Sequence, residues 1–566
     1  MRTRASARPG PVGLGPDQDI DPPITVDVRL LPAGAAAWLT ALVVVRVPSS
    51  GALVGATVCL VVGIGILAAR RRGSRRRDAG HPLTPASEPE PDMNSMRMVA
   101  GARTTGRKGA VGSASGRRGP SSSGVVGPVV ILCLVAAAAV LGAGASQTAA
   151  RDRGLLPVLA QDGAVGRVEG VVVGEPTVLA PAWPGAPVRV RSLLAVDRVA
   201  ARGQGSGATG QVLVLGPSSW AAVPPGARVG ATGRLRPGEK GGRTVAVLLS
   251  GGAPDVVSAP AAPEAAASRF RDGVRALAQT LPGDAGALFA GVTVGDTSAI
   301  PAELTLDLRT SGLTHVTAVS GAHFSLVAAL VLALTAAVRL ARPVRAGLTV
   351  AAMAAMVLVV HPSPSVLRAA VMGLVALLGV LLGRPHRAPA ALAATVVVLL
   401  VADPWLAGEV GFVLSVLATG ALVLLGGPLA DRWAGTLGRP VATALALPVV
   451  AQLVCAPVIL LLTPAVSLYA VPANVLAAPA VAPATVLGLA AGCMAPWWFA
   501  GAQVLALGAG AACWWIGAVG RLAAAAPGAQ VAWLPGWTGA VVLAVAGVCA
   551  LALLVGGRAG PEGERQ

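Results

Sequence analysis

What most limits the fold of this chain is a recurrence of apolar runs, at 30–46, 51–69, 127–146, 317–338, 346–361, 365–383, 388–402, 408–426, 440–463, 471–494, 499–519 and 536–557. A hydrocarbon core about 30 Å thick takes about 20 helical residues. Inside it every backbone N–H and C=O must be paired within the protein, so runs of this length are helical. Composition agrees: 54% of the 566 residues are apolar and 12% charged, against about 45–50% and 25% in an average soluble chain. Mean hydropathy is +0.71. The expected fold class is a polytopic α-helical membrane protein of roughly 12 spans. The short run 388–402 and the run holding Pro472, Pro479 and Pro483 are candidates for broken or re-entrant helices lining a cavity.

The net charge of +18 would point to nucleic acid or anionic lipid if it covered one soluble domain. Much of it instead falls in 70–126, where arginines from Arg70 to Arg118 sit among Gly, Ser and Pro. This composition predicts a disordered, basic cytoplasmic loop. By the same positive-inside reasoning, Arg339, Arg342 and Arg345, then Arg384 and Arg387, are cytoplasmic. Both termini, the basic 1–29 and the tail 558–566, are then cytoplasmic, and the polar stretch after the third span lies outside a plasma membrane. Arg521 is an exception on the outer side. The N-terminal polar stretch delays the first apolar run, unlike a cleavable signal, so 30–69 holds two retained spans and 127–146 a third. All six cysteines lie in apolar runs without metal-ligand spacing, so neither disulfide nor metal is expected. No G-x-x-x-x-G-K-[ST] cradle occurs. No cofactor is expected, and transport would draw on an external motor, a gradient or a pulling partner.

The outer stretch 147–261 changes character. VGRVEGVVVGEPTVL, APVRVRSLLAVDRVAA, GQVLVLGP, ARVGATGRLRP and GRTVAVLLSGG are Val-rich runs between Gly and Pro turns. Five such strands suit a small OB-like β-domain inserted after the third span. Trp183 and Trp220 are its only aromatic residues able to stack on bases, which leaves a structural β-domain and direct strand binding both open. In 262–316, EAAASRFRDGVRALAQTL spaces apolar residues helically with Arg269, Arg271 and Arg275 between them. It is expected to be an amphipathic helix on the outer membrane surface. The multi-span domain follows over 317–557.

Several polar residues lie in or beside the spans. In THVTAVSGAHFSLVAALVLAL, 314–334, Ser320 and His323 stand three apart. A Ser–His pair suits hydrolysis, helix packing or a helix break in a pore. AVSGAH is no G-x-S-x-G elbow and no acidic partner is evident. Gly321 offers either close backbone approach or a break. Arg368 either snorkels or faces a polyanion. Gln452 and Asn474 are suited to tying helices together. Asp403 and Glu409 flank a span as solvated end charges.

Four ordered stretches between about 270 and 495 resemble the ComEC competence proteins, inner-membrane channels for incoming single-stranded DNA. LFAGVTVGDTSAIPAELTLDLRTSGLTHVTAVSGAHFSLV is similar to that family's signature, with Gly295 and Asp296 in a G-D element, Ser311, Gly312 and His315 in SGL-x-H, and Ser320, Gly321 and His323 in VSG-x-H. SPSVLRAAVMGLVALLG resembles its S-x-x-R-A-x-x-M segment through Ser365, Arg368 and Met372. DPWLAGEVGFVLSVLATGALVLL matches a D-P element at Asp403, and AQLVCAPVILLLTPAVSLYAVPANVLAAPAV a stretch ending at Asn474. Ala322, Phe324 and Val413 depart from the usual Leu, Val and Gln. Many members continue into a metallo-β-lactamase-like domain. Here the only histidines are His81, His315, His323, His361 and His386, so the H-x-H-x-D-H metal cluster cannot be built.

The resemblance implies a non-enzymatic DNA channel with a path formed or braced by these residues together with Arg309. It implies single-stranded DNA and the lipid bilayer as partners, beside a DNA receptor, a cytoplasmic motor, a separate nuclease and an optional homo-oligomer. The alternatives are a polytopic membrane hydrolase using Ser320 and His323, and a small-molecule transporter.

Overall fold

The computed structural model describes residues 29–78, 123–179, 181, 183–317, 319–360, 364–381 and 388–556. The basic N-terminus, most of the 70–126 loop, Arg384, Arg387, the 558–566 tail, His81, His361 and His386 lie outside the described residues.

Each of the roughly twelve expected runs forms a helix. The first three are α1 (Leu31–Val44), α2 (Ser49–Asp78) and α3 (Ser123–Arg151), followed by the short α4 (Leu156–Gln161). After the β-domain come α5 (Ala262–Gln279), α6 (Gly283–Val294) and α7 (Ala302–Thr310). Then follow α8 (Gly321–Ala337), α9 (Arg342–Val360), α10 (Pro364–Leu381), α11 (Ala388–Ala402), α12 (Val410–Ala421) and α13 (Gly427–Leu437). The last four are α14 (Arg439–Leu460), α15 (Ala470–Met494), α16 (Phe499–Ala525) and α17 (Gly536–Gly556). Among the described residues eight helical segments are long and apolar enough to cross a membrane, with shorter apolar helices at α1, α8, α10 and α11. The chain is a multi-pass membrane protein.

Three expectations are corrected. The 317–338 run is helical only from Gly321: Thr314–Val316 is a 3-10 turn, Ser320 is extended at φ −115° and ψ 174°, and α8 starts at Gly321. The 408–426 run does not stop at 426. A π-helical turn, Leu422–Gly426, joins α12 to α13, where Gly426, Gly427 and Pro428 lower the cost of irregular winding. The proline-bearing run is unbroken, because α15 carries Pro479 and Pro483 inside a continuous helix. A membrane helix tolerates this where neighbours re-pair the freed carbonyls.

The 147–261 stretch forms the five expected strands and one more: β1 (Val165–Leu179), β2 (Arg189–Ala201), β3 (Gln204–Gly216), β4 (Arg228–Pro237), β5 (Thr244–Ser250) and β6 (Asp255–Ser258). Pairing runs β1-β2-β3-β5-β4, and β4 returns to β1, so five strands close into a barrel. β3 and β5 are parallel and the other pairs antiparallel. Closure removes the free edges that invite aggregation. Alternate residues fill the interior, among them Val168, Val172, Leu194, Val212, Leu235 and Leu248, with Trp220 fully buried beside them. Trp220 donates to the Gly252 carbonyl at 3.2 Å and offers no stacking surface; Trp183 is exposed.

The apolar face of α5 packs on protein rather than lipid. Val274 and Leu277 join a core with α6, α15 and α16, and α6 is buried without interruption from Leu288 to Val294. Beside this core, and sharing α15 with it, the later helices close a ring. α8 packs on α10, α10 on α12, α12 on α14, α14 on α15, and α15 touches α8. The non-adjacent pairs of that ring make no comparable packing. On α12 and α14 the runs 413–420 and 451–458 are partly accessible at every position. A helix covered on one side would alternate instead. Neither run has a fully buried face.

Candidate functional site: the ring mouth beneath the barrel

The turn that carries the Ser–His pair is a helix start. Ser320 is the N-cap of α8 and His323 its third residue. The Ser320 backbone N–H donates to His323 Nδ1 at 3.0 Å, and Ser320 Oγ lies 3.0 Å from the same nitrogen. Since Nδ1 accepts, the neutral ring carries its proton on Nε2. His323 is 2% exposed, and Nε2 has no hydrogen-bond partner among the described residues. No carboxylate orients the imidazole, so the third member of a hydrolytic triad is missing from this arrangement. Ser and His are tolerated here because they close the first turn of a membrane helix, whose N–H groups otherwise go unpaired. A Cβ on Gly321 would meet nothing within 4 Å, which removes close backbone approach as its role.

Gly312 does have that role. It ends α7 at φ 72°, and a Cβ there would stand 2.8 Å from the Ala470 Cβ at the start of α15. Ser311 is fully buried and bonds back to the Leu308 carbonyl at 3.3 Å. Asn474, one turn into α15, donates to its own helix at the Ala470 carbonyl at 2.7 Å, so it does not tie two helices together by this bond. His315 is exposed on the 3-10 turn. Arg309 is exposed on α7, which packs on α16 outside the ring, so the structure does not bring it to Arg368.

Two carboxylates of the sequence motifs fasten the barrel to the bundle. Asp296 follows Gly295, which ends α6 in the left-handed region at φ 79°. Its carboxylate accepts from Arg275 Nε at 2.7 Å and from the Ser298 backbone N–H at 3.0 Å. Burial alone would raise the Asp296 carboxyl; the bonds from Ser298 and Arg275 outweigh it and hold the group below the usual carboxylate range. Arg275 reaches Glu175 on β1 at 2.5 Å, and Arg271, 1% exposed, has Nε 3.3 Å from the same carboxylate. Arg271 also donates to the Leu358 and Val359 carbonyls at the end of α9 at 3.1 and 3.3 Å.

The second fastening corrects the reading of Asp403 and Glu409 as solvated end charges. Arg243, between β4 and β5, pairs with Asp403 and lies 3.4 Å from Glu409. Trp405 Nε1 donates to the Gly241 carbonyl at 2.9 Å. Burial pushes the Asp403 carboxyl up, and Arg243 offsets that only in part. Glu175 and Arg243 carry no local sequence signal, because each meets its partner about a hundred residues or more away.

Arg368 lies on α10 and is 2% exposed. Its guanidinium stands 5.5 Å from the centre of the Phe412 ring on α12, and Phe412 packs on Trp38 of α1 with centroids 4.9 Å apart. Of the two buried arginines among the described residues, Arg271 is paired with Glu175, whereas no carboxylate lies within ion-pair distance of Arg368. Its Nε and Nη1 have no hydrogen-bond partner. It does not snorkel.

These groups share one end of the ring. Because consecutive helices reverse direction, α8, α10, α12 and α15 all begin at the end where Arg243 and Arg275 meet the barrel. Ser320, His323, Arg368, Glu409, Phe412 and Asn474 all lie within about a turn or so of those starts. Each start carries roughly half a positive charge from its aligned peptide dipoles. Of the five ring helices only α14 presents its C-terminus there, while α9 and α11, outside the ring, also end on this side. Within the ring N-termini outnumber C-termini four to one, which suits an anion.

A family model described as Competence protein matches residues 292–558. No curated protein and no solved structure matches the chain.

Proposed function

We propose that this chain, which belongs to the competence protein family through residues 292–558, is the membrane channel that passes one strand of incoming DNA to the cytoplasm. The observation that carries the reading is the ring of five helices, without comparable packing across its centre, opening under the barrel with four helix N-termini at the mouth. At the usual interaxial spacing of 8–10 Å, five axes stand roughly 7–8.5 Å from a common centre. Subtracting a helix radius of about 5–6 Å leaves a bore too narrow for a nucleotide at rest. A passing strand spreads the ring.

The barrel is the entry domain. Its strand order, with β3 parallel to β5, supports an OB-like fold. Positive-inside charge puts the barrel outside and both termini in the cytoplasm. A DNA receptor delivers duplex, a separate nuclease removes the other strand, and a cytoplasmic motor pulls; further copies of the chain complete the partner set. The test is uptake of end-labelled duplex DNA into a DNase-protected cytosolic pool, in the intact strain, a deletion, and the deletion carrying His323→Ala. Loss of protected label in the deletion, unrestored by the variant at normal membrane levels, supports the channel and its motif. Label that survives the deletion defeats the reading and moves the hydrolase and small-molecule transporter ahead.

A further inference from the structure

We infer that Arg368 and His323 form a phosphodiester-binding subsite at the ring mouth, donating to the oxygens of the strand from Arg368 Nε and Nη1 and from His323 Nε2. The inference rests on the strand-channel reading and adds the groups that grip the backbone.

Buried donors are almost always paired, because an unpaired one forfeits its bond to water without replacement. Here three such N–H groups lie in the first two turns of adjoining helices, all with no protein acceptor among the described residues. The two side chains flank one apolar cluster, in which Phe324, next to His323, packs with Val366 and Ala369, two residues and one residue from Arg368. An arginine inside a membrane bundle is costly and is kept where a partner or a path uses it. The guanidinium stands 5.5 Å over the Phe412 ring, a contact that uses none of its N–H groups, and Nε and Nη1 stay without a partner. The ligand is anionic, since Arg368 brings a charge that no carboxylate within ion-pair distance balances, and α8 and α10 add their positive ends. His323 contributes a neutral donor, because Ser320 holds its Nδ1 as an acceptor. A neutral donor beside a fixed cation suits a ligand that must bind and then move on, since a second full charge would hold it longer.

The test is the salt dependence of binding. The full chain in lipid nanodiscs is titrated with a fluorescein-labelled single-stranded oligonucleotide across a range of KCl, followed by anisotropy. For single strands each phosphate neutralised contributes about 0.7 to the slope of log K against log salt. Arg368→Gln should lower the slope by about 0.7 and Arg368→Lys should restore it. His323→Phe should weaken binding roughly tenfold by the same factor at every salt concentration, with the slope unchanged. His323→Gln should recover part of that loss.

An Arg368→Gln slope equal to the wild type overturns the subsite while leaving the channel reading standing. Failure of the wild-type chain to bind the oligonucleotide removes both. A variant that lowers melting temperature and affinity together without changing the slope assigns Arg368 a purely structural role and also overturns the inference. Native mass spectrometry supplies the last arm: a phospholipid retained by the wild type and lost from Arg368→Gln would make the occupant a lipid headgroup, against the proposal.

Discussion

Two glycines of neighbouring motifs, Gly312 and Gly321, should respond oppositely to the same substitution. Gly312→Ala places a side chain at φ 72° with its Cβ 2.8 Å from that of Ala470. The left-handed conformation costs a non-glycine residue about 1–2 kcal/mol. Forcing a methyl into a packed contact costs about 1–3 kcal/mol more. The total, about 2–5 kcal/mol, is a large part of the 5–15 kcal/mol that holds a typical domain folded. Gly321→Ala meets nothing within 4 Å at a position outside the left-handed region, and alanine is the better helix former by up to about 1 kcal/mol. It should be neutral or mildly stabilising. Thermal unfolding in detergent can be followed with a thiol-reactive dye in a background where the other five cysteines are replaced by Ser, Cys493 and Cys549 being exposed, because Cys513 in α16 is fully buried and labels only on opening. Gly312→Ala combined with Ala470→Gly removes the contact and keeps the strain, so it should recover about 1–3 kcal/mol. Equal losses from Gly312→Ala and Gly321→Ala would refute this reasoning and give Gly321 a role the backbone does not explain.

Asp296→Asn should cost about 1.5–3 kcal/mol at neutral pH, the range for a hydrogen bond to a charged group. Its folded carboxyl lies below the free value near 3.9, so the contribution is present above that value and fades as the pH falls through the folded one. Unfolding curves of wild type and variant should therefore converge in acid, and a constant gap across pH would contradict the ion pair. Asp403→Asn should cost less than Asp296→Asn, since burial already disfavours the Asp403 charge and Glu409 remains 3.4 Å from Arg243; a larger loss by the same measurement would count against this. Ser320→Ala should lower stability by about 0.5–2 kcal/mol as a lost cap. A fluorophosphonate probe should leave Ser320 unlabelled in intact protein by mass spectrometry, and labelling would revive the hydrolase alternative. Arg521→Gln should change stability by no more than about 1 kcal/mol, because its pairing with Asp284 at 2.6 Å leaves Arg521 43% exposed; a larger shift in melting temperature would show that this contact is worth more than its exposure implies.

The spans were legible because lipid leaves the backbone no alternative to helix, and α9, α14 and α16 begin within about four residues of where hydropathy changes. All five barrel strands were legible from Val-rich runs cut by Gly and Pro. The start of the 317–338 span is displaced to Gly321 because Thr, Ala and Val carry the same hydropathy whether they precede a helix or belong to it. Only the φ and ψ of Ser320 mark the boundary. The partners of Asp296 and Asp403 were illegible for another reason: a carboxylate at the edge of a span gives no sign of an arginine that folding brings from a separate domain. Arg521, the exception to the expected charge rule, is paired with Asp284 and Asp307, which neutralise it locally.

The polarity of the ring helices has an effect beyond the mouth. α8, α10, α13 and α15 end on the opposite side, where their carbonyls are negative, and there Arg339, Arg342, Arg345, Arg432 and Arg439 supply positive side chains instead. Both ends are therefore positive by different means, and added salt distinguishes them: mobile ions screen exposed arginines readily and partly buried peptide dipoles much less. If the ring is the proposed channel, two positive ends give a strand spanning it no preferred direction, so direction would have to come from outside the ring.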